Sequence, residues 1–142
     1  MTHGLSPAML AIAQQRAAEL GRRVDLHHGD AETLPFDAGS FDTVVCALSL
    51  CTIPDPAAAI GQMKRVLVPG GRLLLIDHIA STWPPIRAAQ WLLERLTIRA
   101  AGEHFTRRQL PLVRAAGLDI VEAERLKAGT IERVFARKPL SD

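Results

Sequence analysis

Two aspartates and two histidines stand at positions suited to chemistry. Asp30 directly follows a short apolar run, and its carboxylate can accept hydrogen bonds from a ligand. Asp77 and His78 follow another apolar run, and His104 lies in the later stretch GEHFT. Because an imidazole titrates near neutral pH, His78 is the first candidate for a catalytic base and His104 is the second.

Strands and helices that alternate along the chain must position these side chains. The runs FDTVVCAL and RLLLID are almost continuously apolar at their centres, which is typical of strands buried on both faces of a parallel sheet. Ser6 followed by Pro7 predicts the start of a helix. The predicted strands are 24–28, 41–48 and 72–77, the predicted helices are 7–20, 55–67, 84–100 and 106–116, and the predicted terminal antiparallel hairpin joins 118–126 to 131–138. The fold class is therefore α/β.

The carboxyl ends of the strands are where an open α/β sheet binds its ligands. This rule selects four places: Asp30, residues 47–49, the pair Asp77 and His78, and residues 102–106. Each of them lies at or just past the end of a predicted strand, apart from the stretch at 102–106, which follows a predicted helix. These places are the candidate functional site.

The composition of the chain limits the classes of function to be considered. The chain has 142 residues, of which 48% are hydrophobic and 23% charged, and this fits one globular domain over residues 1–142. The formal net charge is only +2, aromatic residues make up 4% of the chain and tyrosine is absent. Neither a basic stripe nor a stacking surface for bases is visible, so we expect no nucleic-acid partner. No apolar run approaches the ~18 residues that a membrane span needs.

The cysteines and paired histidines do not predict a metal site. Cys46 and Cys51 are separated by a spacing that matches neither a zinc knuckle nor a CxxC redox pair. His27 and His28 are neighbours on a predicted strand, so their side chains point to opposite faces and cannot share a metal. We expect no metal, and the reducing cytoplasm is the expected compartment.

Three segments carry a resemblance to a known family. They read LSPAMLAIAQQRAAELG, GDAETLPFDAGSFDTVVCALSLCTIPDP and MKRVLVPGGRLLLIDH, in that order along most of the chain. Together they resemble the class I S-adenosylmethionine-dependent methyltransferases, and most closely the branch that methylates quinones, phospholipids and other small lipophilic acceptors. The resemblance implies a Rossmann-like sheet and the transfer of a methyl group from S-adenosylmethionine to a small lipophilic molecule.

The same resemblance implies roles for particular residues. Asp30 would accept a hydrogen bond from the adenine amino group, and Ala31 would offer its backbone amide to the adenine ring. Ala47 and Leu48 would line the cofactor site near the reacting methyl group. A base is needed only for an acidic acceptor, and the family resemblance implies no metal.

Simpler interpretations of these residues stay open. Asp30 can be an ordinary turn residue, and His78 can be a solvated histidine at the end of a strand. An apolar set in the predicted helix 84–100 can form a lid over an acceptor, touch a membrane, or simply cover the sheet. That set is Trp83, Trp91, Leu92, Leu93 and Leu96.

The chain departs from the family pattern in two ways. It contains no Gly-x-Gly loop, and Gly4 stands where the family places the acidic residue that binds the ribose. The resemblance therefore implies a sheet truncated at its N-terminal side, in which 41–48 is an exposed apolar edge that favours self-association. We expect either a start site assigned too late or a genuine truncation, and weak or no binding of S-adenosylmethionine by the 142-residue chain.

Two other functions remain as alternatives at this point. A nucleotide-dependent oxidoreductase would share the α/β pattern, but it needs a glycine-rich loop of its own, and that loop is equally absent. A non-catalytic remnant of the methyltransferase fold, with weak or no cofactor binding, is favoured by Gly4.

Overall fold

Helices and strands alternate along the chain in a computed structural model that describes residues 2–4, 6–79, 84–85, 88–89, 91–92, 108–127 and 129–141. The elements are β1 (Thr2–Gly4), α1 (Pro7–Glu19), β2 (Leu26–His28), β3 (Phe41–Ala47), α2 (Pro56–Val66), β4 (Leu67–His78), α3 (Gln109–Ala115), β5 (Asp119–Leu126) and β6 (Ile131–Arg137). The fold is α/β, as the sequence predicts.

The predicted helix at 84–100 and its surroundings are described only in part. Residues 84–85, 88–89 and 91–92 are helical, which agrees with the prediction. Trp91 and Leu92 are exposed among them. His104, Trp83, Leu93 and Leu96 lie outside the described residues.

The strands form two separate sheets. β1 and β2 pair in parallel as one, while the other has the order β3-β4-β6-β5. In the four-stranded sheet, β3 runs parallel to β4, and β6 runs antiparallel to both of its neighbours. This topology confirms the terminal hairpin, the divided sheet and the position of β3 at an open edge.

Local sequence determines where the helices begin. The Ser6 hydroxyl accepts a hydrogen bond from the Met9 amide at 3.4 Å, and proline occupies the first turn of α1. The Asp55 carboxylate accepts the amides of Ala57 and Ala58, each at 3.0 Å, at the start of α2. These side chains satisfy amide groups that the helix itself leaves unpaired.

One strand begins earlier than the sequence predicts. β4 starts at Leu67, whereas the predicted strand starts at 72. Gly70 donates its amide to the Lys138 carbonyl and the Lys138 amide returns to Gly71, both at 2.9 Å, so the stretch VPGG joins the sheet. Leu67 itself pairs with Phe41 of β3, so partners distant in the sequence decide this boundary. Leu67, predicted to be helical, is the first residue of the strand and is fully buried.

The core lies on one face of the four-stranded sheet, beneath α2 and α3. It is formed by apolar side chains of both helices and of the two central strands, including Ile60, Met63, Leu73, Leu75, Val113 and Val134. α1 lies against β1 and β2 and buries only Ala17. Among the described residues, no helix has the length and apolarity needed to cross a membrane.

Candidate functional site

A cavity of about 460 Å³ borders the open edge of β3. Its lining includes all five consecutive residues from 43 to 47. Successive side chains of a strand point to opposite faces, so a cavity that touches all of them must run along the edge of the strand. Its other walls come from the loop after β2, from the loop between β3 and α2, and from α2; they include Ala31, Leu34, Phe36, Ile53, Met63 and Val66. The cavity therefore occupies the space beside β3 at the carboxyl-terminal side of β2.

Arg65 fixes the loop that forms one wall of this cavity. Its guanidinium donates to the backbone carbonyls of Leu34 and Phe36, both at 2.8 Å. The Glu32 carboxylate adds a second tie, because it accepts the amide of Asp55 at 2.8 Å. The loop is thus held to the C-terminal and N-terminal ends of α2 before any ligand arrives.

Asp30 lies at the start of this loop and is half-buried. Its Oδ1 accepts the Glu32 amide at 2.9 Å, which is the geometry of a turn residue. Among the described residues, its Oδ2 accepts no hydrogen bond, so that oxygen can still receive one from a ligand. Ala31, the next residue, lines the cavity. The turn role and the proposed ligand role are compatible.

The loop after β3 forms another wall. Ala47 and Ser49 line the cavity, whereas Leu48 lies between them with an exposed side chain outside the lining. Leu48 has a φ of 51°, in the left-handed region, and its amide donates to the Ile76 carbonyl at 2.8 Å. A leucine with positive φ is strained, and such strain is concentrated at functional sites. The strain turns Ser49, and not Leu48, toward the cavity.

Asp77, near the end of β4, holds this loop through its carboxylate. Its side chain is only 1% exposed, and its two oxygens accept the Cys51 amide at 3.0 Å and the His78 amide at 2.7 Å. The first of these bonds joins the end of β4 to the loop after β3. A buried carboxylate with two amide donors is a stable arrangement, since hydrogen bonds to a charged group are stronger than neutral ones.

A second buried carboxylate lies beside the first. Glu132, which is 2% exposed, pairs directly with Asp77 across β4 and β6. Its Oε2 accepts the amides of Gln109 and Leu110 at 3.0 and 3.1 Å, and its Oε1 lies 3.7 Å from Arg125 Nε. Glu132 therefore fixes the start of α3 to the sheet.

A much smaller cavity, of about 10 Å³, lies between the end of β4 and the start of α3. His78, the predicted base, lines it together with Asp77, Cys51 and Gln109. His104, the second candidate base, is not among the described residues, so its role stays a prediction. Among the described residues, no group of three or more His, Cys, Asp or Glu side chains could hold a metal ion.

Burial controls the chemistry of Cys46. Burial, together with the nearby Asp77 carboxylate, raises the pKa of the Cys46 thiol from its ordinary value of 9.0 to about 11, against a smaller lowering by the Leu50 amide. The thiol is therefore protonated at neutral pH. Only the thiolate is a strong nucleophile, so Cys46 contributes a compact apolar side chain to the wall of the larger cavity.

The raised pKa predicts a loss of stability in alkali. A thiol whose pKa is higher in the folded than in the unfolded chain stabilises the fold fully below pH 9.0, and this stabilisation is lost as the pH rises through about 11. We expect a loss of about 2–3 kcal/mol across that range. Urea unfolding at several pH values measures it, with Cys46→Ala as the reference. If the free energy of unfolding fell equally steeply with pH in the two proteins, this assignment would be contradicted.

The comparisons with known proteins add an independent observation. A family model described as a methyltransferase domain matches residues 3–75, about half of the 142 residues. The chain belongs to the methyltransferase domain family. The matched segment contains the loop after β2, the whole of β3 and most of β4, and it therefore contains nearly all of the walls of the larger cavity.

Curated relatives of this methyltransferase-family chain carry consistent names. It is 34% identical over 102 residues to the demethylmenaquinone methyltransferase of Staphylococcus epidermidis, covering 72% of the chain and 42% of the relative. It is 38% identical over 91 residues to the demethylmenaquinone methyltransferase of Thermus thermophilus, covering 64% and 40%. The chain thus spans less than half the length of these relatives.

Solved structures share the fold. A SAM-dependent methyltransferase from Methanosarcina mazei superposes with a TM-score of 0.75 at 21% identity, covering 98% of this chain and 82% of the other. The cyclase SpnF superposes with a TM-score of 0.78 at 23% identity, covering 98% and 66%. At these identities the superpositions establish the Rossmann-like methyltransferase fold and leave the activity to the site itself. The family match favours neither the oxidoreductase alternative nor the remnant alternative.

Proposed function

We propose that this chain supplies the adenosine-binding wall of an S-adenosylmethionine-dependent methyltransferase that acts on a small, lipophilic acceptor. The observation that carries the proposal is the cavity along the β3 edge, with Ala31, Ala47 and Ser49 in its lining and Asp30 beside it. The names of the curated relatives support a quinone-type acceptor.

The residues present fit such a cofactor. The cavity volume of about 460 Å³ lies within the range of small-molecule sites, and its walls are mainly apolar with a few polar atoms. An adenine ring needs flat apolar walls and a hydrogen-bond acceptor for its amino group. Val44 and Ile53 line the cavity as apolar wall residues. The carboxylate of Asp30, which precedes the lining residue Ala31, would provide the acceptor.

The chain's own residues orient and enclose the reactants in this proposal. When bound, S-adenosylmethionine supplies an activated methyl group on a sulfonium, so the protein mainly aligns donor and acceptor and excludes water. Asp77 holds the loop Ala47–Ser49 through the Cys51 amide. This bond fixes the wall of the larger cavity that would lie nearest to the methyl acceptor. His78, exposed at the end of β4, is the proposed base for an acidic acceptor, with His104 as the second candidate.

Asp30→Ala tests the proposed site directly. In any form of the protein that binds S-adenosylmethionine, we expect the affinity to fall by about ten- to a hundredfold, because a hydrogen bond to a carboxylate is worth about 1.5–3 kcal/mol. Titration calorimetry measures the affinity. Asp37→Ala removes an exposed aspartate from the same loop and is the matched control. An unchanged affinity of a folded Asp30→Ala protein would leave Asp30 as a turn residue.

The open edge of β3 supports a second, structural proposal: two copies of this chain associate through it. Val45 is 64% exposed on this edge strand, and a row of unpaired backbone groups beside apolar side chains favours pairing with another strand. The opposite edge, β5, instead carries Glu122 and Glu124, and such charges discourage pairing. Because the larger cavity borders the β3 edge, association there would compete with a ligand.

Sedimentation at several protein concentrations tests the association. We expect concentration-dependent dimers for the unmodified chain and monomers for Val45→Lys, because a lysine on the edge strand must be desolvated on pairing. Val121→Lys is the matched control, since Val121 is 54% exposed on the opposite edge strand. If Val45→Lys formed dimers with the same dissociation constant as the unmodified chain, association would have to occur through another surface.

The cytoplasm remains the proposed location. Cys46 and Cys51 are buried and form no disulfide, which is the usual state of cysteines in a reducing compartment. The small-molecule acceptor is the only partner proposed besides a second copy, and the balanced charge of +2 gives no reason to add nucleic acid.

A further inference from the structure

Gln109 has a buried polar side chain that hydrogen-bonds no other residue in the described part of the chain. It is 2% exposed at the first position of α3, and among the described residues neither its Oε1 nor its Nε2 has a hydrogen-bond partner. Burying an unpaired amide is unfavourable, and native proteins rarely keep one without a reason. Its backbone, by contrast, is firmly held, because its amide donates to Glu132 at 3.0 Å.

The unpaired amide lines the small cavity at the end of β4. Asp77 and His78 line the same cavity from the strand, and Arg108 and Leu112 line it from the side of α3. The volume of about 10 Å³ is about that of one water oxygen. One hydroxyl or carbonyl oxygen of a ligand would therefore fill it, and Gln109 could donate to that oxygen and also accept from a hydroxyl.

The small cavity is next to the proposed cofactor site. Ser49 lines the larger cavity, and Leu50 and Cys51, the next two residues, line the small one. A group held in the small cavity is thus separated from the larger cavity by a single turn of chain. This is the relationship expected between the polar end of a methyl acceptor and a methyl donor that must meet it.

We propose that Gln109 is a specificity-determining residue, whose side-chain amide hydrogen-bonds an oxygen substituent on an aromatic acceptor. The inference rests on the proposed methyltransferase function. It also explains the position of His78, because a base on the same cavity can take the proton of the hydroxyl that Gln109 orients. Glu132 then acts as a positioning residue, since it fixes the backbone of Gln109.

Two probes that differ only at the oxygen test the inference. They are 1,4-dihydroxynaphthalene, kept reduced in anaerobic buffer, and 1,4-dimethoxynaphthalene, whose methyl groups block hydrogen-bond donation and exceed the cavity. We expect the 142-residue chain to bind the dihydroxy probe about tenfold more tightly, equivalent to one good hydrogen bond. We also expect the Gln109 side-chain NH₂ signals in a ¹H–¹⁵N spectrum to shift with that probe alone.

Variants at Gln109 must reduce the selectivity. In Gln109→Leu, and equally in Gln109→Met if the leucine variant does not fold, the ratio of the two affinities should fall several-fold, because only the steric exclusion of the methoxy groups remains. A role in stability alone would leave this ratio unchanged. Gln15→Leu makes the same chemical change on the exposed face of α1 and should keep the tenfold ratio.

The possible outcomes separate this inference from the proposed function. Equal affinities in the unmodified chain, no binding of either probe, or an undiminished ratio in Gln109→Leu would each overturn the role of Gln109. A parallel titration of the unmodified chain with S-adenosylmethionine tests the proposed function by itself. If cofactor binds but the ratio does not depend on Gln109, only the acceptor subsite is wrong.

Discussion

Glu132→Ala is expected to lower the free energy of unfolding by about 3–4 kcal/mol. The substitution removes the acceptor of the Gln109 and Leu110 amides, and each buried amide left unpaired costs about 1–3 kcal/mol. Relief of the repulsion between Glu132 and the adjacent Asp77 returns less than about 1 kcal/mol, so it does not reverse the sign. Urea unfolding with linear extrapolation measures the change.

Two controls separate the buried hydrogen bonds from charge in general. Glu132→Gln keeps one side-chain oxygen as an acceptor and should lose less than half as much stability. Glu122→Ala removes an exposed glutamate that pairs with Arg133 at 3.0 Å, and we expect a loss of at most about 1 kcal/mol. An effect of Glu132→Ala no larger than that of Glu122→Ala would show that α3 does not depend on this carboxylate.

Asp77→Ala should destabilise the protein by about 3 kcal/mol and should also weaken binding of S-adenosylmethionine. The buried Cys51 amide loses its acceptor, Oδ2 of Asp77, and the His78 amide loses its acceptor, Oδ1 of the same carboxylate. Without the first bond, the loop that carries Ala47 and Ser49 is no longer tied to the end of β4, so the cavity wall is less well ordered. Unfolding in urea and a parallel cofactor titration measure the two effects.

Asp77→Asn and Asp42→Ala are the controls for this second prediction. The asparagine keeps one acceptor oxygen, so it should retain part of the stability and part of the affinity. Asp42 is an exposed aspartate at the start of β3, and its removal should change neither quantity by more than about 0.5 kcal/mol. If Asp77→Ala and Asp42→Ala behave alike, Asp77 does not organise the loop.

Local signals in the sequence predict much of this fold. Ser6 and Asp55 mark the starts of two helices, and the structure shows both residues as caps. The apolar run 41–48 becomes β3, and the terminal alternating runs become the hairpin of β5 and β6. These features depend on neighbouring residues, so a short window of sequence contains the information that determines them.

Features that depend on distant partners were harder to predict. The early start of β4 depends on pairing with Phe41 and on the contacts of Lys138. The loop wall of the cavity requires Arg65 to reach the carbonyls of Leu34 and Phe36. No local pattern contains those contacts. The predicted role of Leu48 at the cofactor stays a prediction. In the structure Ser49 lines the larger cavity and Leu48 does not, and the positive φ of Leu48 could not be read from its residue type.

The burial of Glu132 and of Asp77 can be predicted from the alternation of residues along their strands. Glu132 alternates with Val134 and Ala136, which places it on the buried face of β6, and Asp77 alternates with Leu73 and Leu75 in the same way. A charged residue at a core position of a strand indicates a buried carboxylate with partners. The burial of Gln109 could not be predicted in this way, because the helix that begins with it has only 7 residues and its apolar pattern is too short to define a buried face.

A titration of the 142-residue chain with S-adenosylmethionine, followed by ¹H–¹⁵N chemical shifts, tests the central claim most directly. The claim is that the cavity along β3 binds the adenosine part of the cofactor. We expect weak binding, with a dissociation constant above about 1 μM, and shifts centred on the amides of Ala31, Ala47 and Ser49. Nicotinamide mononucleotide, the half of NAD that lacks adenosine, should leave these amides unchanged when it is titrated in the same way. Saturating S-adenosylmethionine without shifts at these residues, or equal shifts with nicotinamide mononucleotide, would contradict the account.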